Sequence, residues 1–423
     1  MSKKSQNRYI VNNNTLVVGV DIGKSSSVAR YLLPDGRPSK QFIFTTSRSG
    51  FDAFAAWLEE SRVRCGMESV MVGMEPTGHY YELLARYLKD KGVRAVLVNP
   101  YHTKCSKEIY DNSPGKTDAK DALVIAGLVR QGNCFNIRLP EGVYADLKAL
   151  GRAREKKAVE LTAKVNYLIR LMDTLFPEFF GIFKKHAGMT ALYLLANCPT
   201  PASMLALGEA KLTEIIRAQS HGKLGTARAA ALIKAAENTI GTGGSALVVE
   251  VRETVEDIIV LQRRLKDTEA AQREALKQVP YATDLLSLKG VGVVTIAGII
   301  GEAGDIRGFH SAKGLVKLAG LSLYEESSGT HKGVLKITKR GRPLLRKLLY
   351  LLSLRLVKSG HDLHEYYQGL RGGEKPVPAP KALVAVSRKA AKIIFGVVKY
   401  GRQVVKDQVP CPCTSEAGLA EAA

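Results

Sequence analysis

Two apolar, β-branched runs near the start of the chain each end on an acid. Leu16-Val17-Val18-Gly19-Val20 leads into Asp21, and Val70-Met71-Val72-Gly73-Met74 leads into Glu75. Runs of this length read as buried strands, and each acid then stands at the C-terminal end of its strand, where a loop begins. Residues 27–33 and 41–44 predict two further strands around the turn sequence Pro34-Asp35-Gly36-Arg37, so the chain opens with three antiparallel strands. Amphipathic patterns at 51–58 and 80–90 predict helices, and 94–98 predicts a strand closed by Asn99-Pro100. The run Ala122-Leu123-Val124-Ile125-Ala126-Gly127-Leu128-Val129 then predicts a helix with Asp118 and Asp121 in its first turn, on one face.

From about residue 141 the texture becomes helical. Leu161, Val165, Leu168, Met172 and Leu175 form a heptad seam ended by Pro177. Val248, Val251, Val255, Ile258, Leu261 and Leu265 form a second seam with one break. The two pack either on each other within one chain or across a dimer. Between them, residues from about 183 to 244 are helical and partly Gly-rich, with no legible role. A new unit begins near Tyr281. There Lys289-Gly290-Val291-Gly292 has the form of a helix-hairpin-helix turn, in which Gly-x-Gly lets backbone N–H groups approach a phosphate. A plain turn between two helices uses the same letters. The expected organisation is a disordered basic arm (1–14), an α/β domain (15–150), a helical region (151–277) containing the 183–244 segment, a C-terminal domain (278–408) and a disordered tail (409–423).

Composition narrows the partners. Sixty-two Lys and Arg against forty Asp and Glu give a net charge of +22 and a pI near 9.7. So large an excess points to a polyanion, with salt-dependent phosphate contacts as the main source of affinity. No stretch approaches the roughly 18 uninterrupted apolar residues of a membrane span, and the polar N-terminus lacks a signal peptide's apolar core. A cytoplasmic protein without membrane partners is expected. The six cysteines are scattered and match neither a zinc framework nor a disulfide scaffold.

Acids in a helix's first turn are ordinary capping residues, because the N-terminal end carries partial positive charge. Asp21 and Glu75 alter that reading. Open α/β sheets place their sites at the strands' C-terminal edge. Four carboxylates converging there would repel one another unless divalent cations held them, and hard cations such as Mg²⁺ suit both carboxylate and phosphate oxygens. Asp21, Glu75, Asp118 and Asp121 are therefore the candidate metal ligands. Further along, Tyr324-Glu325-Glu326-Ser327-Ser328-Gly329-Thr330-His331-Lys332-Gly333 leads into a basic run with Lys336, Lys339, Arg340, Arg342 and Arg346. This loop reads either as a nucleic-acid grip beside a serine or as an ordinary solvated loop.

Strands first, then alternating helix and strand, with acids on the first strand, a middle strand and a late helix, is the arrangement of an RNase H-like domain. In this order the motifs resemble one family, the DEDD transposases of bacterial insertion sequences, which include the pilin-inversion recombinase and the bridge-RNA-guided recombinases. The matching pieces are Gly19-Val20-Asp21-Ile22-Gly23-Lys24, Glu75-Pro76-Thr77-Gly78-His79-Tyr80, Asn99-Pro100, Lys116-Thr117-Asp118-Ala119-Lys120-Asp121-Ala122, and the block from Gly290 through Arg346 with Ala319-Gly320-Leu321, Ser328-Gly329 and Lys339-Arg340-Gly341.

The resemblance implies an α/β RuvC-like domain, a helical coiled-coil middle and a mainly helical transposase domain. It implies that Asp21, Glu75, Asp118 and Asp121 bind Mg²⁺ (or Mn²⁺) and that Ser328, the serine directly before a glycine, is the nucleophile rather than its neighbour Ser327. Attack by Ser328 would leave a 5′-phosphoserine and a free 3′-OH. A noncoding bridge RNA encoded by the element would pair with double-stranded donor and target DNA. Acids and serine would come from different subunits of a dimer, two dimers forming a synaptic tetramer on the nucleoid. Lys116, Lys289, Gly290, Gly292, Lys332, Lys336, Lys339, Arg340, Arg342 and Arg346 are the candidate nucleic-acid contacts.

Three other readings share some of these features. A Holliday-junction resolvase or RNase H-like nuclease would use the same acids with water as nucleophile, leaving the Ser328 loop unexplained. A sugar kinase or actin-like ATPase would use Asp21-Ile22-Gly23-Lys24-Ser25-Ser26 as a phosphate hairpin, but lacks a second Asp-x-Gly hairpin. A purely architectural nucleic-acid binder would have no use for four acids beside a polyanion.

Overall fold

The computed structural model describes residues 11–76, 78–107, 117–326, 333, 335–358, 360–361, 363–373 and 376–408, with side chains as far as Gly401. The chain forms two units, Met1–Leu139 and Pro140–Ala423.

The first unit is a six-stranded mixed sheet of order β3-β2-β1-β4-β5-β6. Strand β1 (Thr15–Ile22) runs antiparallel to β2 (Ser26–Leu32), and β2 antiparallel to β3 (Phe42–Thr45). Helix α1 (Arg48–Arg64), capped by the Ser47 hydroxyl, leads to β4 (Ser69–Met74), parallel to β1. Helix α2 (Tyr80–Asp90) leads to β5 (Arg94–Val98), parallel to β4. Two helices follow, α3 (Pro100–Ser106) and α4 (Asp118–Arg130), before β6 (Cys134–Asn136) closes the edge antiparallel to β5. Three antiparallel strands followed by alternating helix and strand is the order that the apolar runs predict.

Strand periodicity sorts the core into two layers. Leu16, Val18 and Val20 join Val72 and Met74 on the face covered by α1 and α2. Aromatic rings fill that layer, with Phe44 stacked on Phe54 at 4.3 Å and Phe42 on Trp57 at 4.8 Å. Val17, Met71, Val96 and Val98 point the other way and pack against α4. Every residue of α4 from Val124 to Val129 is buried. The apolar side chains among them contribute about 1.5–3 kcal/mol each, ample to hold a helix whose own propensity is weakened by Gly127.

The second unit is mainly helical. Its spine is α5 (Val143–Leu175) and a later helix of equal length, Ser245–Lys277. These two run antiparallel: Arg154 Nε donates to Glu269 (2.8 Å), Lys157 Nζ to Thr268 Oγ1 (3.0 Å), Lys164 Nζ to Asp257 (2.6 Å), and Tyr167 to Glu250. The two apolar seams thus pack on each other within one chain. Between the spine helices come α6 (Phe179–Ile182), α7 (Met189–Asn197), α8 (Pro201–Gln219, broken at Gly208) and α9 (Thr226–Glu237), so the helix Ser245–Lys277 is α10. The segment from 183 to 244, unreadable in sequence, closes a separate core over one end of the spine, with Met172, Phe176, Leu192, Leu212, Leu232 and Val255 inside.

At the opposite end a second core gathers around Leu147 and Leu276. It is built by α11 (Ala282–Leu286), α12 (Val293–Ala303), α13 (Ala312–Leu318), α14 (Pro343–Leu356), α15 (His364–Gly372) and α16 (Ala379–Gln408). Two short strands, β7 (Leu323–Tyr324) and β8 (Lys336–Ile337), pair antiparallel beside it. No helix among the described residues is long and apolar enough to cross a membrane.

Candidate active site

The acids of the first unit are positioned by strand parity and by one helix. Gly19 on β1 is paired in register with Gly73 on β4. A methyl group built on Gly19 would stand 1.9 Å from the Ala122 carbonyl oxygen, and one on Gly73 2.4 Å from Val129 Cγ2. Only glycine at both places lets α4 lie directly against the two central strands. Two residues beyond each glycine come Asp21, near the end of β1, and Glu75, one residue past the end of β4. They share the parity of Val17-Gly19 and Met71-Gly73, which places them on the same face as α4 and at the C-terminal edge of two adjacent parallel strands.

Helix α4 brings the other two acids to that edge. The Thr117 hydroxyl caps it by accepting from Lys120 N at 3.2 Å, and Asp118 and Asp121 occupy the first turn. At the far end the Arg130 guanidinium donates to the carbonyls of Thr15 (3.0 Å) and Leu32 (2.9 Å), fixing the helix to β1 and β2; burial pushes its pKa down. Asp118 is exposed, whereas Asp121 is only 6% exposed. Asp121 Oδ2 accepts from Lys107 Nζ at 2.6 Å, and its Oδ1 has no hydrogen-bond partner among the described residues.

Lys107 reaches this edge from β5. Asn99 ends that strand and caps α3, its side chain accepting from Tyr101 N at 3.0 Å, and Lys107 is the C-cap of that seven-residue helix. Sequence reasoning missed Lys107, because nothing in a lysine fourteen positions before Asp121 signals the contact.

The donor type at this edge is one that hard divalent cations take. All four candidate ligands carry carboxylates, and one buried carboxylate oxygen, Asp121 Oδ1, has no donor among the described residues. The packing is looser than a finished metal centre, for among the described residues no three His, Cys, Asp or Glu side chains are grouped closely enough to hold an ion.

In the second unit, Ser327, Ser328 and Lys332 lie outside the described residues, as does Lys116 in the first. Their flanks are described. The strands β7 and β8 form the base of a hairpin whose connecting segment carries Ser328, with Leu323 opposite Ile337 and Tyr324 opposite Lys336. The motif blocks Ala319-Gly320-Leu321 and Lys339-Arg340-Gly341 meet at this base. Lys339 N donates to Gly320 O (3.0 Å), Arg342 N to Leu318 O (2.7 Å), and Arg346 Nη1 to Ala319 O (3.0 Å). Arg342 also donates to the Glu302 carbonyl. Of these two candidate nucleic-acid contacts, the Arg346 guanidinium therefore ties the Ala319-Gly320-Leu321 block to Lys339, and that of Arg342 ties its segment to the end of α12.

Lys289, Gly290 and Gly292 lie in the turn between α11 and α12. Gly290 has φ +85°, and a methyl group there would meet the His361 ring at 2.7 Å. The glycine is required by the turn and by the ring packed on it.

Comparison with known proteins places this geometry in context. A DEDD transposase family model, described as "Transposase", matches residues 18–177, and a second, described as "Transposase IS116/IS110/IS902 family", matches 282–368. The chain is 25% identical to an uncharacterized 44.8 kDa protein of insertion element IS116 from Streptomyces clavuligerus, over 91% of this chain and 95% of that one. It is 23% identical to an uncharacterized 43.6 kDa protein of insertion element IS110 from Streptomyces coelicolor, over 91% and 94%. A transposase of element IS1111A from Coxiella burnetii is 33% identical over 30% of this chain and 36% of its own length.

Proposed function

Since the chain belongs to the DEDD transposases of insertion sequences, we propose that it cuts and rejoins DNA with the acids of its first unit and the serine of its second. The observation that supports this reading is the sheet edge at which β1 and β4 end and α4 begins, the three elements whose ends carry Asp21, Glu75, Asp118 and Asp121. The strand order β3-β2-β1-β4-β5, with acids at the ends of the first and fourth strands, supports a RuvC-like assignment.

Asp21, Glu75, Asp118 and Asp121 would hold Mg²⁺, or Mn²⁺ in its place. When bound, it supplies charge neutralisation at the scissile phosphate. The buried Asp121 and the strand-end acids fix where that phosphate must lie. Ser328, in the sequence between β7 and β8, is the nucleophile: its oxygen bonds to phosphorus as the bond to the 3′ oxygen breaks, and the serine proton passes by way of solvent to the departing 3′ oxygen, which leaves as a hydroxyl. The phosphoserine ester conserves the phosphodiester energy, so rejoining needs no ATP. By resemblance, acids and serine come from different subunits of a dimer, and two dimers synapse donor and target. A noncoding RNA of the element pairs with both DNAs, and the net charge of +22 suits that load of nucleic acid.

The test is strand cleavage of matched donor and target DNA with Mg²⁺, with and without the element's RNA. Cleavage is expected only with RNA present, and it should be lost in Asp21→Ala, Glu75→Ala and Asp121→Ala. Unguided cutting of any duplex would remove RNA guidance from the account.

A further inference from the structure

From Ala379 to its break at Gly401, helix α16 carries Lys381, Arg388, Lys389, Lys392 and Lys399 and no acid. With about 3.6 residues per turn, Lys381, Arg388, Lys392 and Lys399 fall within an arc of about 40° and extend about 27 Å along the axis. Lys381, Lys392 and Lys399 are exposed, Arg388 is half-buried, and the small residues Ala385 and Gly396 stand beside them. The opposite face, with Val386, Ala390, Ile394 and Val397, is sealed into the core. We infer that this stripe is a docking track for the backbone of duplex DNA, an inference that rests on the reading of the chain as an enzyme acting on DNA.

Folding supplies no reason for the stripe. Lys381 sits in the first turn of α16, where the positive end of the helix dipole disfavours a cation. Arg388 and Lys392 are like charges four residues apart, which weakens a helix. Among the described residues none of the four side chains makes a hydrogen bond or an ion pair, and Arg388 Nε is covered without an acceptor. Cations elsewhere in this unit are paired across elements, Arg154 with Glu269, Lys164 with Asp257 and Lys347 with Glu155. Lys389, about a quarter turn off the stripe, lies over the Tyr366 ring at 4.3 Å and packs against α15.

The spacing fits a duplex. Each DNA strand carries a phosphate about every 3.4 Å of axis, so a stripe of this length faces about eight of them. Tracks for single strands carry aromatic rings on which unpaired bases stack. No exposed aromatic side chain of α16 stands within the arc, and the ring nearest to it by helical angle, Phe395, is buried in the core. Lysines and an arginine on phosphates hold a duplex in place without reading its sequence.

The test is the salt dependence of binding of the full-length chain to a labelled DNA duplex of arbitrary sequence, without divalent metal, read by fluorescence anisotropy. In Lys381→Gln/Lys392→Gln/Lys399→Gln the slope of log affinity against log salt should fall by about 2.7, about 0.9 for each phosphate contact removed, with affinity at about 0.1 M salt down at least tenfold. Arg388, being half-buried, is left in place so that the core is undisturbed. Lys381→Arg/Lys392→Arg/Lys399→Arg should keep the parent slope. Lys184→Gln/Lys185→Gln/Lys223→Gln, which removes the same charge from exposed positions on the 183–244 segment, should keep it too. A fall smaller than that of one contact overturns the track, as does an equal fall in the Lys184 variant, which would make the effect one of net charge. Weakened binding to an RNA duplex of the same sequence with DNA binding intact overturns DNA as the occupant. The underlying reading is separable: if the parent itself shows no salt-dependent affinity for duplex DNA, it is the assignment of a DNA-acting enzyme that fails.

Discussion

Gly19 and Gly73 face each other across two parallel strands, and together they form the floor on which α4 rests. The first contact is with backbone, the Ala122 carbonyl, and cannot be relieved by a rotamer change. The second is with the Val129 and Ile125 side chains, which have some freedom. Gly19→Ala should therefore destabilise the chain by about 3 kcal/mol and Gly73→Ala by about 1–2 kcal/mol, in the range for overpacked cores. Urea unfolding of the two variants checks the order. Equal effects, or none, would mean that α4 is not seated on this pair.

Arg130 anchors the other end of the same helix. Replacing it with Met keeps the packing of the stem but leaves the Thr15 and Leu32 carbonyls without their donor. The expected loss is about 2–4 kcal/mol, and Arg130→Lys should recover only part of it, since one ammonium cannot reproduce the planar fork. Full recovery by Lys would show that charge alone matters there.

The cysteines report burial through pH. Burial pushes the Cys198 thiol up to about 11, from an ordinary value of 9.0, while Cys105 is exposed on α3. The folded chain thus keeps the Cys198 proton where the unfolded chain has lost it. The stabilisation from this group is full below pH 9 and is lost as pH rises toward 11. Site-resolved alkylation should label Cys105 quickly at pH 8 and Cys198 slowest, the latter accelerating only above pH 9. Fast labelling of Cys198 at pH 8 would contradict the packing around α7.

Gln272 on α10 is fully buried, and neither atom of its amide has a hydrogen-bond partner among the described residues. Gln272→Met removes the polar group at nearly constant volume. It should raise the unfolding temperature, by the equivalent of about 1–2 kcal/mol. A fall of several degrees would mean that the amide is satisfied in solution, for instance by an internal water.

Strands β1, β4 and β5 were legible because each is a continuous apolar run rich in β-branched residues, β2 and β3 because a turn sequence separates them, and α4 because the first-turn acids and the apolar stretch agree. The two seams at 161–175 and 248–265 were legible as helices, but whether they met within one chain was a tertiary question. What stayed hidden is of three kinds. Elements of two, three and seven residues, such as β7, β8, β6 and α3, are too short to show a period. The close approach at Gly19 and Gly73 depends on register, which neither strand reveals alone. Contacts such as Lys107 with Asp121, or Arg346 with the Ala319 carbonyl, join residues whose letters are common anywhere. The helical segment after residue 183 mixes glycine with small residues, and its core appears only once the end of the spine is there to receive it.

The most direct test of the account is the search for a covalent protein–DNA adduct. The chain would be incubated with Mg²⁺, the element's RNA and matched donor and target DNA, quenched in denaturant, and the modified peptide identified by mass spectrometry. The account predicts a phosphoserine link at Ser328, absent in Ser328→Ala and in Asp21→Ala. Cleavage without any adduct, unaffected by Ser328→Ala, would contradict it and assign the acids to a water-dependent resolvase.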